Sequence, residues 1–75
     1  MTREDDAMQL VTIRLDGRPH KVRAGTTLAQ LVHALGHGER AVSTAVNGSF
    51  VARSARGRVL DSGDVVLLFQ PVVGG

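Results

Sequence analysis

Apolar and polar residues alternate from Gln9 to Leu15, with Val11, Ile13 and Leu15 on one side and Thr12 and Arg14 on the other. A period of two is that of a strand with one buried face. Asp16-Gly17 follows, a pair suited to the positive φ of a tight hairpin turn. A second strand therefore returns at about His20 to Arg23, and its brevity together with Pro19 predicts a place at the sheet edge. After the connector Ala24-Gly25-Thr26 the period changes. Leu28, Leu31, Val32 and Leu35 fall at i, i+3, i+4 and i+7, one apolar stripe along a helix. Thr27 stands at the N-cap, Gln30 completes a capping box, and Gly36 sits where helices commonly stop. Alternation resumes from Ala41 to Val46, which places Val42, Thr44 and Val46 on one face. Asn47-Gly48 is a second tight turn, leading to a short strand from Ser49 to Arg53 that carries Phe50 and Val51. Ser54 to Arg58 reads as an irregular polar turn, Val59 and Leu60 as a brief return to the core, and Asp61-Ser62-Gly63-Asp64 as a surface turn. Val65-Val66-Leu67-Leu68-Phe69 is apolar on both faces, the pattern of a central strand.

The order is strand, strand, helix, strand, short strand, strand. It predicts an α+β domain over residues 8–70: a mixed sheet with one helix packed on one face and the last strand beside the first. That is the β-grasp, or ubiquitin-like, arrangement. Residues 1–7 are polar and acidic and read as a disordered N-terminal extension, with Met8 an equally good start of the folded unit. Residues 71–75 read as a flexible C-terminal tail. Pro71 cannot donate to a strand ladder, and Gly74-Gly75 has nothing to pack and a high entropic cost of ordering. Such a tail is thin enough to carry a carboxylate into a narrow cleft of another protein. A lone Gly-Gly end is ordinarily a frayed terminus; here it follows directly on a strand central to the fold. One helix covers one face of a sheet, so by alternation Val66 and Leu68 point to the helix and Leu67 and Phe69 point away. Phe50 is a candidate to join them. Burying a large apolar side chain is worth roughly 1.5–3 kcal/mol, so several left in water mark a partner-binding patch. Scattered surface residues or self-association are the ordinary alternatives.

Composition narrows the chemistry. In 75 residues there is no cysteine, which leaves no disulfide, no thiolate metal site and no thiol nucleophile. Any sulfur chemistry uses sulfur delivered by a partner. The net charge is +2, with eight arginines spread along the chain and only Phe50 and Phe69 as aromatics, so no basic stripe with stacking residues points to nucleic acid. No apolar run approaches the ~20 residues of a membrane span. The start of the chain is unlike a signal peptide, and the expected location is the cytoplasm. His20, His33 and His37 lie in different elements without close ligand spacing, so no metal or bound cofactor is expected. Asp61 and Asp64 read as a charged turn rather than paired catalytic acids. Ser54 and Ser62 have no His–Asp partners, and Gly36-His37-Gly38 ends a helix instead of opening one. Nothing here makes the chain an enzyme by itself.

Ala45-Val46-Asn47-Gly48, Val51-Ala52-Arg53-Ser54, Gly63-Asp64-Val65-Val66 and the terminal Gly74-Gly75, in this order and spacing, resemble the ThiS family of thiamine-biosynthesis sulfur carriers. The capped helix after Ala24-Gly25-Thr26-Thr27-Leu28 falls where that family has its own, and the resemblance covers about Gln9 to Gly75. The family often has proline where this chain has Ala52. Phe69 to Gly75 is also similar to the tail of the related molybdopterin-synthase small subunit. The resemblance implies a protein co-substrate. An E1-like adenylyltransferase would use ATP to adenylate the Gly75 carboxylate, a persulfide-carrying protein would supply sulfur, and a thiazole synthase would draw it from the resulting thiocarboxylate. Gly75 would be the reacting residue, Gly74 and Val73 the slim tail, and Leu67, Phe69 and Phe50 the docking face. A molybdopterin-type carrier, a ubiquitin-like protein modifier and a plain β-grasp binding module remain open as alternatives.

Overall fold

The computed structural model describes residues 9–70. Met8 and the expected extension before it, like the expected tail at 71–75, lie outside the described residues. The first hairpin pairs β1 (Leu10–Leu15) with β2 (Arg18–Arg23), Leu15 opposite Arg18 and Leu10 opposite Arg23. Asp16 and Gly17 have φ of 52° and 85°, the left-handed geometry that a two-residue turn between right-twisted strands requires. The second hairpin repeats this device: Asn47 (φ 53°) and Gly48 (φ 85°) join β3 (Ser43–Val46) to β4 (Ser49–Val51). A 3₁₀ turn at Arg53–Ala55 leads back toward β5 (Val65–Phe69). The sheet order is β2-β1-β5-β3-β4, with β5 parallel to β1 and antiparallel to β3. The last strand is central and β2 is an edge, both as the pattern predicts. The architecture is a β-grasp fold.

Helix α1 (Leu28–Ala34) is fixed at its start by the expected capping box. The Gln30 backbone N–H donates to Thr27 Oγ1 at 3.1 Å, and the Thr27 N–H donates to Gln30 Oε1 at 2.9 Å. Leu28, Leu31 and Val32 are buried against Ile13, Val46 and Val66 of the sheet and Leu60 of the returning loop. Leu35, expected in the same stripe, is exposed instead. The helix closes one residue earlier, and Leu35 takes the C-cap with ψ near 0°.

The return segment is regular at its backbone. Leu28 and Ala29 donate to the carbonyls of Arg58 and Arg56 at 3.0 and 2.9 Å, and Leu60 donates to Thr26 at 2.9 Å. The bridge between Thr27 and Val59 makes the chain locally strand-like, so neighbouring side chains point opposite ways. Leu60 is 1% exposed and Val59 48%: of the two residues expected to return to the core, only Leu60 does. Strand ends also shift. β2 begins at Arg18 and includes Pro19, β3 begins at Ser43 rather than Ala41, and β4 ends at Val51 rather than Arg53.

Candidate functional site

The helix and the 56–60 segment cover one face of the sheet, and the other face carries side chains the alternation sends outward. Register places Phe50 opposite Ala45 and Ala45 opposite Leu67, one row across β4, β3 and β5; Phe69 lies opposite Ser43 in the next row. Phe50 is 68% exposed, Phe69 46% and Leu67 42%, whereas Val66 is wholly buried and Leu68 packs against the core. The three residues expected to form an outward patch are therefore brought onto one surface. Beside them on the same face, β1 and β2 contribute Arg14, Lys21 and Arg23, all exposed. The open face is thus apolar toward β5 and β4 and basic toward β2.

The base of the tail is held by groups that alternation alone does not show. β1 pairs with β5 only at Arg14–Val65 and Leu15–Val66, so β5 runs on past the end of β1. Beyond that point the Leu68 N–H donates to Asp16 Oδ1 of the first turn at 3.1 Å. At the other end of the strand the Val65 N–H donates to Asn47 Oδ1 at 2.9 Å, while Asn47 Nδ2 donates to Asp64 Oδ1 at 3.0 Å. Both turn residues with left-handed φ thus serve β5 with their side chains. The turn signal found them; their second role has no local signature, because the partners are 17 to 52 residues away.

Asp64, expected on a surface turn, is buried. Its Oδ2 accepts the Asp61 backbone N–H at 2.8 Å, closing the turn, and Arg58 lies 3.9 Å from the same oxygen. The Asp61 N–H, then the Asn47 amide and Arg58, hold its carboxyl below the usual carboxylate range, although burial pushes the other way. The two acids meet through the Asp61 backbone N–H, as a turn and its closure rather than a catalytic pair.

Arg56 is the other residue that pattern misses. It is 4% exposed, inside a stretch that reads as polar loop. Its guanidinium donates to the carbonyls of Val42 at 2.7 Å and Glu39 at 2.9 Å and to Thr44 Oγ1 at 3.2 Å. Thr44 Oγ1 in turn donates to the Val51 carbonyl at 2.9 Å. One planar cation thereby ties the loop before β3, β3 itself and β4 together, under the row that carries Phe50. Among the described residues no group of three or more His, Cys, Asp or Glu gathers in metal-binding geometry. No helix among them is long and apolar enough to cross a membrane. Val73, Gly74 and Gly75, the expected tail and reacting residue, lie outside the described residues.

The chain matches the ThiS family over residues 9–75. It belongs to that family. The fold agrees with solved structures. A crystal structure of the thiamine biosynthesis protein ThiS from Geobacter metallireducens superposes with a TM-score of 0.72 at 23% identity, over 87% of this chain and 100% of that one. A solution structure of a thiamine biosynthesis protein from the same organism gives 0.68 at 23% identity, over 87% and 88%. No curated protein matches the chain.

Proposed function

We propose that this ThiS-family chain carries sulfur as a thiocarboxylate on Gly75. The observation that carries the reading is the placement of the open apolar patch on β5, the strand that leads in sequence straight to Gly74-Gly75. A carboxylate is a poor acyl donor because its leaving group is oxide. An adenylyltransferase docked on Leu67, Phe69 and Phe50 joins the Gly75 carboxylate to the α-phosphate of ATP and releases pyrophosphate. AMP is then a good leaving group. The terminal sulfur of a protein persulfide attacks the acyl carbon, forming a C–S bond and displacing AMP. A thiol then attacks the cysteine sulfur of the persulfide's original S–S bond, which leaves the thiocarboxylate and a disulfide on the donor side. A thiazole synthase takes the sulfur and returns the carboxylate. Val73 and Gly74 follow the Gly75 carboxylate into the enzyme's cleft, where a bulky side chain at Gly74 has no room. ATP is consumed by the partner; the chain itself holds no cofactor in this cycle. The similarity of Phe69 to Gly75 to the molybdopterin-synthase tail favours a second reading with the same loading steps and a different acceptor.

The test is pyrophosphate exchange into ATP by a cognate adenylyltransferase. Exchange is expected with the native chain, lost when one residue is appended after Gly75, and reached only at higher carrier concentration with Phe69→Asp, whose thermal stability stays near native because Phe69 is exposed. Undiminished exchange with the appended residue would reject the carrier reading. Unchanged concentration dependence with Phe69→Asp would remove the patch from the docking surface.

A further inference from the structure

We propose that the outer edge of β2, with the groove between it and α1, is a second docking site that takes an extended peptide of a partner protein in which apolar and acidic residues alternate. The sheet order ends on β2, and its phase follows from the turn. In a two-residue hairpin the flanking pair, Leu15–Arg18, exchanges hydrogen bonds, so His20 and Val22 also face β1 with their backbone groups. The next pair in phase confirms this: the Ala24 N–H donates to the Gln9 carbonyl at 3.1 Å. The N–H groups of Lys21 and Arg23 and the carbonyl of Lys21 are therefore aimed outward, the template an added strand uses. The usable edge is short. Pro19 has no N–H to offer, and the Arg23 carbonyl already accepts from the Thr26 N–H at 3.0 Å.

Beside this edge a groove of about 650 Å³ opens toward the helix, with Val22, Leu31, Ala34 and Leu35 among its walls. The exposure of Leu35 now has a consequence: the side chain that fails to reach the core furnishes the groove wall. Side chains of an added strand alternate between the two faces of the sheet. One set would lie over the groove and meet Leu35 and Val22, which asks for apolar residues. The other would lie on the open face beside Lys21 and Arg23, which asks for carboxylates. No acidic residue lines the groove to compete. A second copy pairing β2 with β2 would set Lys21 and Arg23 against their own kind, which is unfavourable. The site is separate from the Leu67–Phe69 patch and stands whether or not Gly75 carries sulfur.

The experiment titrates the ¹³C,¹⁵N-labelled full chain with two capped pentapeptides, Val-Glu-Val-Glu-Val and Val-Lys-Val-Lys-Val. The glutamate peptide is expected to shift the Lys21 and Arg23 amides and the Leu35 methyls saturably, more weakly at higher salt, while the lysine peptide does not. Two opposed charge pairs are worth roughly tenfold in affinity, so K21E/R23E should lose that much for the glutamate peptide and gain it for the lysine one. Both residues are exposed, so the double variant keeps the fold. Equal binding of the two peptides, shifts confined to Leu67 and Phe69, or no saturable shift at millimolar peptide would overturn the proposal. So would contacts from residues 1–8 to Leu35 in the peptide-free chain, or concentration-dependent shifts at Lys21, which would give the groove to the chain itself or to a second copy.

Discussion

At the scale of single residues, the two buried charged groups among the described residues are Arg56 and Asp64. Arg56→Ala removes the donor for the buried Val42 carbonyl, the part-buried Glu39 carbonyl and the Thr44 hydroxyl, and leaving buried acceptors unpaired costs roughly 2–3 kcal/mol. Arg56→Lys recovers only part, since a point ammonium cannot reach three acceptors held by a planar fork. Urea unfolding measures both; a native midpoint for Arg56→Ala would show that the network contributes nothing. Asp64 sets an acid limit. Folding lowers its pKa, so its contribution is full above the unfolded value of about 3.9 and is lost as pH falls through the lower folded value. Asp64→Asn should therefore flatten the fall in stability below about pH 4, at some loss of stability at neutral pH. An acid slope equal to native would contradict the assignment. Neither residue was legible in the sequence. Arg56 lies in Ser54–Arg58, where no apolar period exists to mark an inside, and its acceptors are 12 to 17 positions away. Asp64 looks like any acid in a glycine turn until Asn47 arrives from another hairpin.

At the scale of elements, legibility follows how local the determining physics is. The hairpin turns and the helix start depend on neighbours two to three positions apart, and Asp16-Gly17, Asn47-Gly48 and Thr27-Gln30 all do what their pattern implies. Thr27→Ala should cost about 1 kcal/mol, or roughly 4–8 °C in Tm for a domain of this size. A melting temperature unchanged from native would mean that packing of Leu28 and Leu31 alone holds the helix start. Element ends are decided by tertiary contacts and were less legible. Leu35 keeps the helical spacing but falls beyond the last helical residue, and Val59 shares the hydrophobicity of Leu60 but takes the outward side of a bridge to Thr27. Pro19 did mark an edge strand, because its missing N–H tolerates solvent and not a ladder.

At the scale of the molecule, a five-stranded sheet with one helix has one face to spare, and this chain divides that face between an apolar half on β4 and β5 and a basic half on β1 and β2. The apolar half was readable from Val65–Phe69, since a strand apolar on both sides needs two covers and the chain supplies one helix. The groove at β2 was not, because it depends on where α1 stops. Family membership and the central position of β5 converge on the end of the chain, where the account places its chemistry. Intact-mass measurement of the chain after incubation with a cognate adenylyltransferase, ATP and a persulfide donor tests that claim most directly. The account predicts a gain of one sulfur for one oxygen, located at Gly75 by fragmentation and dependent on ATP. An unchanged mass in the presence of an adenylyltransferase proven active on another carrier, or sulfur found at any other residue, would contradict it.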